Sequence, residues 1–131
     1  MDADQQPYKH SDLTDRSIGC FYPVYGELGF GFLESVYERA LLVELRASGL
    51  SAEAQVPLTV RYHGETVGEF RANIVVEQAV IVELKAVHRT DPIFDAQLLN
   101  YLKATDIEVG LLLNFGPKPK IKRLAFENTR K

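Results

Sequence analysis

Apolar residues along this 131-residue chain recur in two rhythms, and the change from one to the other divides it. From residue 32 to about 48 they recur at helical spacing, so that Tyr37, Leu41 and Leu45 share one stripe of a helix that Gly49 would end. An earlier helix is expected from Ser11 or Asp12, as cap, to about Val24, with Gly26, Gly29 and Gly31 as a flexible passage between the two. The period then falls to two. Val56 to Tyr62 alternates apolar and polar, His63-Gly64-Glu65 supplies a turn, and Val67 to Val76 returns. A third strand is expected from Ala79 to Val87. Asp91-Pro92 opens a helix to about Ala104, and strands follow at 108–115 and 121–126. Helix, helix, three strands, helix and one or two strands describe an α/β sandwich with a mixed sheet.

Two departures from this pattern carry chemistry. The aliphatic runs 74–76 and 79–82 suit strands buried on both faces, yet Glu83-Leu84-Lys85 places two charges at the end of the second run. Burying them costs about several kcal/mol unless they meet each other, a metal or a ligand. Being two apart, Glu83 and Lys85 point the same way. Whether Asn73 joins them depends on the turn. A strict two-residue turn at Glu77-Gln78 pairs Asn73 with Val82, on the face opposite Glu83, whereas a three-residue connection sets Asn73 opposite Glu83 itself. The second departure is Glu34, a carboxylate in the arc of the apolar stripe; a carboxylate near a helix N-terminus is also favoured by the dipole alone. On the later helix, Gln97 and Tyr101 are four apart and share a face with Ile93.

Composition narrows the class. The size suits one domain, expected over 11–126 between a disordered N-terminal segment, 1–10, and a basic tail, 127–131. The N-terminus lacks the basic and apolar regions of a signal peptide, no apolar run approaches a membrane span, and one cysteine forms no internal disulfide, so a cytoplasmic location is expected. The net charge of −3 argues against coating nucleic acid by bulk attraction. It leaves room for a local basic surface, since the stretch from Lys118 to Lys131 holds Lys118, Lys120, Lys122, Arg123, Arg130 and Lys131 against Glu127, although a solvated strand and tail is the first reading of it. His10, His63 and His88 have no zinc spacing with Cys20, and the glycines at 26–31 lack the pattern of a phosphate loop.

Taken in order, Gly31-x-x-Glu34-x-x-Tyr37, Asn73, Glu83-x-Lys85 and Gln97-x-x-x-Tyr101 resemble the PD-(D/E)XK nuclease superfamily, and most closely its GxxExxY family with RecB-like motifs. The stretches GFGFLESVYERAL, FRANIVVEQAVIVELKAV, AQLLNYLKA and VGLLLNF carry the likeness, over roughly residues 15–125. The resemblance implies a restriction-endonuclease-like α/β sandwich, a central mixed β-sheet flanked by helices, that hydrolyses DNA phosphodiesters with Mg²⁺ or Mn²⁺. It implies a catalytic set of Glu34, Glu83, Lys85, Gln97 and Tyr101, metal ligation by Asn73, Glu83, the backbone of Leu84 and Glu34, and contacts from Lys85, Gln97 and Tyr101 to nucleic acid.

At position 73 the superfamily has aspartate, and asparagine brings no charge to a cation that usually relies on one or two carboxylates. Glu34 is the carboxylate expected to compensate. An alternative is a catalytically inactive module that binds nucleic acid or a protein, with Glu83 and Lys85 in a structural ion pair. A third reading, self-association as a homodimer, rests on short apolar edges such as 121–126.

Overall fold

The structure is a computed structural model in which residues 9–131 are described. Five strands form one mixed sheet in the order β1-β2-β3-β4-β5: β1 (Ala52–Tyr62), β2 (Glu65–Val76), β3 (Val80–Lys85), β4 (Val109–Phe115) and β5 (Pro119–Ala125). Neighbours are antiparallel except β3 and β4. Those two run parallel because α3 (Pro92–Lys103) carries the chain back across the sheet.

Each face has its own core. Helices α1 (Ser11–Leu28) and α2 (Glu34–Ala47) bury Phe21, Val24, Tyr37, Leu41 and Leu45 against Ile74, Val82, Leu84, Leu111 and Phe115. On the other face, α3 buries Leu98 and Leu102 against Val75, Ile81 and Leu112. Three helices thus flank the mixed sheet, the expected α/β sandwich. The stripe Tyr37, Leu41, Leu45 is fully buried. No helix among the described residues is long and apolar enough to cross a membrane.

Two helix boundaries differ from expectation. Helix α1 is capped by His10 in the left-handed region, with no side-chain cap bond, rather than by Ser11 or Asp12. It also runs past Val24, through Pro23 and Gly26, to Leu28, because Tyr25 and Leu28 pack on the core and the Tyr25 hydroxyl donates to Gly116 O at 2.6 Å. Packing outweighs the local breakers there. The expected disordered segment lies outside the described residues up to residue 8; Lys9 and His10 form a turn, with Lys9 on Glu108. At the other terminus Asn128–Arg130 is a short 3₁₀ turn.

The turn after β2 decides the register. Glu77 and Gln78 are both left-handed, Ala79 N–H closes on Val76 O, and Val76 pairs with Val80. This is the three-residue connection. Glu77 is held in its unfavourable conformation by Ser51, which donates its N–H to the Glu77 carboxylate and accepts the Glu77 N–H.

Candidate active site at a strand fork

Only three residue pairs join β2 to β3: Ile74–Val82, Val75–Ile81 and Val76–Val80. Beyond them the strands part, and side chains replace the ladder. Asn73 N–H donates to Glu83 Oε1 at 2.9 Å, and Asn73 Oδ1 accepts the Leu84 N–H at 3.0 Å. Asn73 and Glu83 therefore meet, as the three-residue connection requires.

The third arm of Asn73 reaches a residue the motifs do not include. Its Nδ2 donates to Glu38 Oε1 at 2.8 Å, and Gln55 Nε2 donates to the same oxygen at 2.6 Å. Glu38 is only 9% exposed. No cation pairs with it within 4.0 Å among the described residues. Gln55 sits on β1 in the left-handed region, and the regular pairing of β1 with β2 skips it between Ala54–Ile74 and Val56–Ala72. That kink lies across from Asn73. Glu38 is thus a carboxylate held directly by the asparagine amide. It is the i+4 neighbour of Glu34, one position beyond the buried Tyr37.

Glu34 opens α2, and the residues before it explain how it is placed. Gly31 has φ 121°, a conformation that favours glycine. The Tyr37 hydroxyl donates to Gly29 O and accepts the Phe32 N–H at 3.1 Å, while its ring stacks on Phe115 at 4.3 Å. Tyr37 thus anchors the loop that begins α2 to the sheet. Glu34 is half-buried, and burial pushes its carboxyl above the usual range, while the charge of Lys85 and hydrogen bonding from Asn73 pull the other way.

Glu83 and Lys85 alternate with the buried Val82 and Leu84, so they face α3. Burial pushes the Glu83 carboxyl up to about 7; the Asn73 N–H and the Lys85 charge oppose this, and Glu34 and Glu38 add to it. Lys85 does not form the ion pair with Glu83 that the alternative reading supposes: no N–O distance between them is within 4.0 Å. Its ammonium instead lies 4.6 Å from the centre of the Phe94 ring on α3. Tyr101 is half-buried against Phe70, its hydroxyl pKa raised by burial and by the Glu83 charge. Gln97 is exposed and hydrogen-bonds to no described residue.

Asn114, a buried asparagine, likewise lies outside the motifs. On β4, and 3% exposed, it accepts the Val87 N–H and donates to Val87 O, both at 3.1 Å. This ends β3 at Lys85 rather than Val87 and fixes the chain that follows it. Gly116 lets that chain approach: a Cβ there would stand 2.2 Å from Val87 O.

The fork thus gathers three carboxylates, an ammonium and two amides from both faces of the sheet. Carboxylate oxygens are the donors a hard cation prefers, but Asn73 Oδ1 is spent on Leu84. Among the described residues no three acidic, histidine or cysteine side chains are grouped closely enough to hold a metal ion. The fit is to a cation held by one or two carboxylates and its own waters, the usual manner of Mg²⁺. Two clefts, one beside the start of α3 and one beside its end, are lined by neither Glu83 nor Lys85.

A five-stranded mixed sheet, helices on both faces and acids with a lysine at a strand fork define the restriction-endonuclease-like class. The chain belongs to the PD-(D/E)XK nuclease superfamily, whose sequence pattern it matches over residues 11–124. No curated protein matches it. Among solved structures, the crystal structure of SSO0001 is similar, with a TM-score of 0.57 and 18% identity over 71% of this chain. The match spans 50% of that protein's length, and at this identity it speaks for the fold alone.

Proposed function

We propose that this chain is a divalent-cation-dependent nuclease of the GxxExxY type acting on DNA. The observation that carries the reading is that Glu34 on α2 lies close enough to Glu83 and Lys85 on β3, around one strand fork, for their charges to bear on one another. Superfamily membership supports a nuclease-like activity, and PD-(D/E)XK nucleases generally use divalent metals. Glu83 keeps Oε2 clear of the Asn73 bond, and Glu34 lies close enough to feel both Lys85 and Glu83. These two carboxylates would hold Mg²⁺ or Mn²⁺ beside the Leu84 backbone. Such an ion supplies charge neutralisation at a phosphate and a lower pKa for an attacking water.

The chain's own residues do the positioning. Lys85, steadied over Phe94, offers a cation to the phosphate or orients the water. Gln97, free at the surface of α3, and Tyr101 are the nucleic-acid contacts on that side. The basic edge of β5 extends the track, although Lys122 is engaged by Asp95.

The test is cleavage of plasmid and single-stranded DNA in Mg²⁺ and Mn²⁺. Cleavage abolished by Glu83→Ala and by Lys85→Ala is the expected result; cleavage that survives both substitutions overturns the assignment. A second reading, a catalytically silent module that binds nucleic acid, is favoured by one observation. All three polar groups of Asn73 that hold the fork are satisfied without a cation. Binding of the same DNA without turnover in either metal would establish it.

A further inference from the structure

The Glu38 carboxylate is buried, has no cationic partner within 4.0 Å among the described residues, and takes two amide donors on one oxygen. Burying a carboxylate with only neutral partners is costly, so those donors have a defined job. The donor from residue 73 is the one that depends on asparagine. An aspartate there could still accept the Leu84 N–H through one oxygen, and its backbone N–H could still reach Glu83. It would have no proton for Glu38. Two carboxylate oxygens would then face each other at the 2.8 Å now spanned by a hydrogen bond, with Glu83 and Glu34 nearby.

We propose that Glu38 and Asn73 are a matched pair in which the carboxamide NH₂ takes the place of a shared cation, and that Glu38 becomes a cation-binding carboxylate when residue 73 is made acidic. Asn73 is a positioning residue. It ties α2 to the fork through Glu38 and ties β2 to β3 through Leu84. Its neutrality is set by Glu38, not by loss of the site. Gln55 completes the arrangement from β1, where the left-handed backbone interrupts the regular pairing and the side chain reaches the same oxygen.

The proposal concerns folding and cation binding, so its test needs no cleavage. The full chain and its Asn73→Asp, Glu38→Gln and doubly substituted forms are melted in EDTA, in Mg²⁺ and in Mn²⁺. Mn²⁺ binding is titrated in parallel by calorimetry. In EDTA, Asn73→Asp is expected to lower Tm by about 5 °C or more. Adding Glu38→Gln to it should restore at least half of that loss, because a glutamine NH₂ can again donate to the acidic residue. Mn²⁺ should raise the Tm of the Asn73→Asp form more than that of the unaltered chain, and bind it at least tenfold more tightly. That gain should vanish in the double variant.

Equal melting of Asn73→Asp and the unaltered chain in EDTA overturns the proposal. So does a double variant whose losses simply add, or a Mn²⁺ affinity that Glu38→Gln leaves unchanged. Should Asn73→Asp not fold in EDTA, the double variant decides the matter: it folds if the pair is matched and fails if it is not.

Discussion

Two buried or half-buried asparagines, one on each strand flanking β3, do similar work near its C-terminal end, and they do it differently. Asn114 spends both ends of its amide on one residue, Val87, closing a neutral ring of hydrogen bonds where regular pairing stops. Asn73 also bridges a place where pairing stops, but one end of its amide goes to a backbone N–H and the other to a carboxylate. The first stitches chain to chain. The second stitches chain to charge, and that charge adds to the upward shift that burial gives Glu34 and Glu83.

The contrast breaks first if Asn114 proves dispensable. Asn114→Ala leaves a backbone donor and acceptor of Val87 without their partner, and a loss of roughly 4 kcal/mol is expected. Urea denaturation should show that loss unchanged by Mg²⁺ or Mn²⁺, since no charge is involved.

A somewhat smaller effect separates the two regions by pH. The Glu83 carboxyl rises on folding from the usual 4.5 to about 7, so the folded state holds the proton more tightly than the unfolded chain. Stability from this group is complete below about 4.5, falls as pH rises, and is lost above about 7. At about 1.4 kcal/mol per pH unit the span amounts to roughly 3 kcal/mol. Glu83→Gln keeps an acceptor for the Asn73 N–H and should flatten that slope in EDTA; an unchanged profile between pH 4.5 and 7.5 would show that the burial of Glu83 is not costly. Glu34 shifts in the same sense and remains in both chains.

Smallest is Gln55→Ala, which removes one of the two donors to Glu38 and should cost about 1 kcal/mol. It sharpens the comparison by asking whether Asn73 alone can hold that carboxylate. Equal stability by denaturant titration would mean that it can.

Much of this was legible in the chain. The Tyr37-Leu41-Leu45 stripe, the His63-Gly64 turn and the Asp91-Pro92 helix start each speak through local chemistry, and each stands where expected. The alternation that put Glu83 and Lys85 on one face also held. Their separation was less legible: sharing a face does not bring two side chains within an ion-pair distance, and the Phe94 ring offers the lysine another partner. Glu38 and Asn114 were missed for opposite reasons. Glu38 lies among many charges on α2, and nothing local shows that Gln55 and Asn73 converge on it from two strands. Asn114, by contrast, interrupts an apolar run in LLLNF just as Glu83 interrupts its own, and the same signal would have found it. Gln97 matched a motif spacing, yet a surface side chain acquires a role only from a ligand.

Gly116 has a consequence for how this sequence can drift. With a Cβ there 2.2 Å from Val87 O, and 2.9 Å from the Asn114 amide, its alphabet is a single letter unless the chain after Lys85 moves away. Position 73 has two letters, each with its own grammar: asparagine read with Glu38, or aspartate read with a cation. A lineage can cross between them one substitution at a time, while the glycine that holds the end of the adjoining strand stays where it is.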